Sequence, residues 1–123
     1  NFTSVVFDQA VPPNYNGTNT FTAPVTGRYF FAYNIRLDGL DVTSTGGTMQ
    51  LVTTSKTYQS NKLNYGAIRV AVDNDVCMGA STFASMTAGD TAFVQCQITG
   101  VAADTVSILN NPDATYFSGY LVC

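Results

Sequence analysis

The chain has 123 residues, 46% hydrophobic and 11% charged, which is the composition of one folded domain and not of a disordered segment. Its net charge of −3 comes from eight Asp, no Glu and five basic residues, so it lacks the basic stripe that nucleic-acid binding needs. No apolar run nears the roughly 20 residues of a membrane-spanning helix, so membrane insertion is not expected. A soluble monomer carries nearer a quarter charged residues. The low charge therefore implies a surface that is uncharged polar or covered by partners. No Lys-led signal peptide opens the chain, and with Asn1 in place of Met the expectation is a processed product or a fragment.

Apolar residues recur with period two between turn signals, and no segment reads as a helix of useful length. The clearest strand is Arg28 to Leu37. Tyr29, Phe31, Tyr33, Ile35 and Leu37 mark its core face, and Arg28, Phe30, Ala32, Asn34 and Arg36 the other. Thr48 to Thr54 alternates less cleanly around Met49 and Leu51, and Gly66 to Val72 sets Ile68, Val70 and Val72 on one side. Val76 to Phe83 is a weaker strand, rich in small residues. Thr91 to Ile98 sets Ala92, Val94, Cys96 and Ile98 against Thr91, Phe93, Gln95 and Gln97. Thr105 to Leu109 and Thr115 to Val122 complete the series. Turn makers separate these runs, among them Asn16-Gly17, Thr26-Gly27, Gly46-Gly47, Asp73-Asn74-Asp75 and Ala88-Gly89-Asp90. Many short strands without alternating helices predict a two-sheet antiparallel sandwich or barrel in a single domain.

The order of motifs narrows this. Val5-Val6-Phe7-Asp8, then Asn14-Tyr15-Asn16, then Phe21-Thr22-Ala23-Pro24-Val25-Thr26-Gly27-Arg28-Tyr29-Phe30-Phe31 resembles the opening of the complement C1q and tumour necrosis factor-like head domain. Met86-Thr87-Ala88-Gly89-Asp90-Thr91-Ala92-Phe93-Val94 is similar to that family's Gly-Asp hairpin. Ala114-Thr115-Tyr116-Phe117-Ser118-Gly119-Tyr120-Leu121 is similar to its closing strand. The resemblance implies a ten-strand, two-sheet jelly roll assembled as a homotrimer. The family's first strand is reduced to Asn1-Phe2-Thr3, which implies the C-terminal part of a longer chain, and Leu37 to Ala67 carries no matching motif. Phe21, Tyr29, Phe31, Val94, Phe117 and Leu121 are the expected core. Phe93, Tyr116 and Tyr120 fall opposite the core sets. In the family's arrangement their strands belong to the sheet facing the threefold axis, which makes them the candidate trimer interface. Scattered exposed aromatics are the ordinary alternative.

Enzymatic chemistry has little support. There is no His, so the Ser-His-Asp arrangement is absent, and no motif singles out a carboxylate pair such as Asp38 with Asp104. Cys77, Cys96 and Cys123 form no CxxC and have no neighbouring His, so a thiolate zinc site is not expected, and an odd count gives no disulfide framework. Cys96, flanked by apolar residues, reads as a small core residue. Asp73-Asn74-Asp75 reads first as a turn, with Asp73 and Asp75 the calcium candidates should oxygen ligands gather there. No other cofactor is expected. Asn1-Phe2-Thr3 and Asn16-Gly17-Thr18 match the N-glycosylation pattern, as chance allows in a chain rich in Asn and Thr.

The expected function is a non-catalytic trimeric head on a virion, phage fibre or other surface protein, contacting a host-surface glycan, a protein receptor or other virion proteins. The alternatives are a secreted recognition or signalling head and a bare trimerisation cap. The location is then the virion surface or extracellular space. Recognition is expected in the loops Asp38 to Gly47, Thr57 to Tyr65 and Gly100 to Asp104, through Asp38, Asp41, Tyr58, Lys62 and Tyr65.

Overall fold

The alternation in the longest predicted strand sets the architecture. Tyr29, Phe31, Tyr33, Ile35 and Leu37 are each at most 1% exposed, while every residue between them keeps some contact with solvent. Five large side chains on one face must be buried against a second layer, at about 1.5–3 kcal/mol for each fully buried residue. The computed structural model describes residues 20–40, 44–64, 75–100, 106–109, 111 and 113–123.

Eight strands appear among them: β1 (Phe21–Thr22), β2 (Gly27–Asp38), β3 (Gly46–Thr53), β4 (Thr57–Leu63), β5 (Val76–Met86), β6 (Thr91–Thr99), β7 (Ser107–Ile108) and β8 (Tyr116–Leu121). The first sheet runs β1-β6-β3-β4. In the second, β2 is flanked by β5 on one edge and by β7 and β8 in line on the other. Each pairing is antiparallel, and no helix occurs among the described residues, as a two-sheet jelly roll requires. Between the layers, Phe21 meets Tyr29 and Phe31 edge-on at 5.5 and 5.4 Å, and Phe31 stacks on Phe117 at 5.6 Å. Met49, Leu51 and Ala92 close the core from the first sheet.

Of the expected core, Phe21, Tyr29 and Phe31 are buried, and Val94 and Phe117 pack against the core half-buried. Leu121 departs from expectation at 45% exposure. It pairs with Tyr29 near one end of β2, on the last residue of β8, where the sandwich runs out. Val76–Phe83 extends to Met86 and pairs with β2 over its full length, from Leu37↔Val76 to Gly27↔Met86. The expected loop Thr57–Tyr65 is also corrected: Thr57–Leu63 is strand β4, paired with β3. Its register slips between Met49 and Gln50, leaving Ser60 as an extra residue that breaks the alternation. Asp38 is likewise the last residue of β2, and Gly46-Gly47 opens β3, so the expected 38–47 loop is shorter. The runs at 5–8, 14–16 and 66–72, and the loop residues 101–104, lie outside the described residues.

Two glycines are required by this packing. Gly89 has φ +89° in the turn between β5 and β6, where Gly89 N–H donates to Ala23 and Asp90 accepts from Thr87 N–H through its carboxylate. Gly119 faces Phe31, and a Cβ there would run into the Phe31 ring and approach the Phe30 carbonyl at 3.2 Å. Because Phe31 is sealed on all sides, Gly119→Ala is expected to cost about 1–3 kcal/mol, the range for overpacking. Denaturant unfolding checks this, and a variant as stable as the parent contradicts it.

Candidate functional site

The outer faces of the two sheets differ in chemistry. On the second sheet, Phe30 of β2 stands in register with Phe83 of β5 on one side and Tyr120 of β8 on the other. Their rings meet at 5.2 and 5.4 Å, tilted, forming an aromatic row across three strands. Phe83 is 60% and Tyr120 61% exposed. The row beside it is small, with Ser81, Ala32 and Ser118 in line, and the next holds Gly79, Asn34 and Tyr116. Asn34 donates its amide to the Ala114 carbonyl, and Gly79 leaves room for that side chain. At the far end, Arg36 binds the Asp75 carboxylate, with Nε to Oδ2 at 2.9 Å. Six of the seven large apolar residues exposed among the described positions lie on β5, β7 and β8 or directly after β8; Val25 is the seventh. Of these, Phe83, Tyr116 and Tyr120 stand on the outer face, whereas Ile108 and Leu121 lie opposite the core residues Leu37 and Tyr29.

The first sheet shows the opposite character outside. Its outward residues are mostly Thr and Gln, several bonded to one another. Gln50 donates to Gln95 at 2.8 Å, Thr54 and Thr91 hydroxyls meet at 3.3 Å, and Thr99 donates to the Gly46 carbonyl at 3.0 Å. This face is compatible with water.

The structure brings Tyr116 and Tyr120 onto the same outer face, with Tyr116 45% exposed opposite Asn34. It corrects the placement of Phe93. That residue points outward as expected but sits on β6, paired with Val52 of β3, and therefore belongs to the other sheet. Parity along a strand fixes which face a residue takes and not which sheet the strand joins. Phe30 and Phe83 join this outer aromatic row although the sequence reading does not single them out. The signal for both was an aromatic at a position whose strand neighbours on the same face are small or polar. Tyr58 is turned inward opposite Leu51, packed on the core beneath the Lys56 ammonium, which lies 4.9 Å from its ring centroid. Lys62 is exposed on β4, and Asp38 is half-buried at the end of β2. Asp41, Tyr65 and Asp73 lie outside the described residues, and Asp75 is engaged by Arg36. No three His, Cys, Asp or Glu gather among the described residues.

Two groups, Tyr33 in the core and the partly buried Cys96 against it, have displaced acidities. Burial pushes the Tyr33 phenol up, partly offset by its hydrogen bond with Ser60 across the sandwich. Burial pushes the Cys96 thiol up to about 11, so it stays neutral at physiological pH. A group whose folded value is raised stabilises the fold fully below its unfolded value, near 9. That contribution is lost as pH rises from about 9 through 11. At pH 8, Cys96 of the native protein is expected to react with a thiol reagent about a hundredfold more slowly than Cys96 of the unfolded chain. Equal rates in the two states contradict this.

A two-layer antiparallel jelly roll, largely polar outside on one sheet and aromatic outside on the other, defines the fold class. The C1q domain family model matches residues 1–122, and the chain belongs to the C1q domain family. The globular domain of zebrafish complement 1qA protein shares the fold at a TM-score of 0.55 and 15% identity, over 100% of this chain and 92% of that one. No curated protein matches the chain. C1q domains are generally non-enzymatic, typically form trimers that bind ligands or receptors, and are usually extracellular.

Proposed function

We propose that this chain is a non-catalytic, homotrimeric head domain whose three second sheets pack around a common axis and whose first sheets face outward toward a glycan or protein. The aromatic row Phe83–Phe30–Tyr120 carries this reading. Two aromatic rings 60% and 61% exposed on the same face lose their contact with water once a like face covers them. The adjoining row of Ser81, Ala32 and Ser118 lets a neighbouring backbone approach closely. Three outward-facing copies add avidity to weak single contacts.

The setting we propose is the tip of a virion or phage fibre or another extracellular surface, as a compact Asn- and Thr-rich chain without His or Glu fits. The sequence preceding Asn1 tests the setting: G-x-y or heptad repeats point to a fibre stem, and a secretory signal to a secreted head. Hydroxyl-radical footprinting tests the buried face. Tyr120 and Phe83 are expected to be protected in the native protein while the first-sheet face oxidises more readily. Oxidation of Tyr120 and Phe83 at the rate of an exposed side chain overturns the packing.

A further inference from the structure

The outer face of the first sheet holds a row of three polar side chains that satisfy no neighbour. Lys62 of β4, Thr48 of β3 and Gln97 of β6 stand directly opposite one another in the ladder. None of the three side chains makes a hydrogen bond or ion pair among the described residues, whereas Gln50 and Gln95 in the nearby row bond each other at 2.8 Å. The row opens into a groove of about 390 Å³, which Thr45, Thr99 and Asn64 also line. That volume is in the range of small-ligand sites. Thr45 and Thr99 hydroxyls are already turned toward each other at 3.5 Å, and Thr99 bonds Gly46, so the free bonding capacity is concentrated in the row. The chain carries eight Asp, yet no carboxylate lines the groove among its described residues, and Lys62 is the cation there.

We propose that Lys62, Thr48 and Gln97 form a subsite for an acidic sugar, a pyranose bearing a carboxylate. The row spans two strand spacings, about 10 Å, enough for a single ring and its exocyclic group. The Lys62 ammonium takes the carboxylate as a charge-assisted bond, and the Thr48 hydroxyl and the Gln97 amide bond the ring hydroxyls. One ammonium among neutral groups suits a single carboxylate. A phosphate draws several cations or a cluster of backbone N–H groups, and among the described lining residues Lys62 is the single cation. A neutral sugar would have no use for the uncompensated Lys62 charge.

The assignment rests on the recognition-head reading and deepens it. The test is an amide chemical-shift titration of the intact protein with glucuronate and with methyl glucoside. Glucuronate is expected to shift residues 48, 62 and 97, saturating in the millimolar range and weakening with added salt, while the glucoside binds at least several-fold more weakly. Lys62→Met is expected to weaken glucuronate about tenfold or more, the loss of one bond to a charged group, and Gln95→Ala to change nothing. Shifts that centre elsewhere, equal binding of the two sugars, or a Lys62→Met variant that binds as the parent overturn the subsite. An acidic peptide that shifts the row while glucuronate does not overturns it too. Those failures leave the head reading standing if the protein remains a trimer that holds a surface ligand. A monomeric protein, by contrast, ends the head reading whatever the row binds.

Discussion

Phe31→Ala is expected to destabilise the fold by about 3–5 kcal/mol, near the top of the range for a single substitution. Phe31 is fully excluded from solvent at the centre of the second sheet, edge-on to Phe21, stacked on Phe117 and beside Tyr29. Removing the ring takes away its transfer free energy and also leaves a cavity, because those neighbours belong to both sheets and cannot collapse into it together. Gly119, which exists to admit the ring, would then face empty space. Denaturant unfolding of parent and variant at equal chain concentration measures the effect, since assembly makes apparent stability depend on concentration. A loss below about 1 kcal/mol would mean that Phe31 is not a core residue.

Tyr120→Asp is expected to give a folded monomer. The residue is 61% exposed on the face proposed to meet two other copies, and its ring contacts Phe30 alone among the described ring pairs. A carboxylate there costs the separate chain little, because it stands in water. In the assembly it would bury an unpaired charge three times around an axis, each at several kcal/mol. Phe83→Asp is expected to act in the same way from β5. The two substitutions should therefore abolish assembly while leaving the unfolding of each chain cooperative. Gln95→Asp on the polar sheet serves as the matched control and should leave assembly unchanged. A Tyr120→Asp variant that assembles like the parent places the contact surface elsewhere.

Much of the second sheet is visible in the sequence because β2 is regular. Every second residue from Tyr29 to Leu37 is large and apolar, and each proves buried. β5 is harder to see, because its outward positions are the small residues Cys77, Gly79, Ser81 and Ser85 together with the large Phe83, and this mixture blurs a period of two. β4 is hidden for a different reason. The bulge at Ser60 shifts the alternation by one residue midway, and the segment Thr57–Leu63 is polar apart from Tyr58 and Leu63, so it reads as a loop. Phe93 shows the limit of parity. Its outward direction follows from Ala92 and Val94, but its sheet depends on pairing with Val52, which local sequence does not encode. The Lys62–Thr48–Gln97 row has the same origin. Lys62 stands out as a charge, whereas Thr48 and Gln97 become its neighbours only through the register of three strands.

The most direct test of the trimeric head is the mass of the unaltered chain in solution by light scattering. The expected value is about 39 kDa, three times the 13.1 kDa chain, and stable on dilution into the low micromolar range. A mass near 13.1 kDa at all concentrations would contradict the proposed assembly and leave the Phe83–Phe30–Tyr120 row as an exposed surface awaiting a different partner.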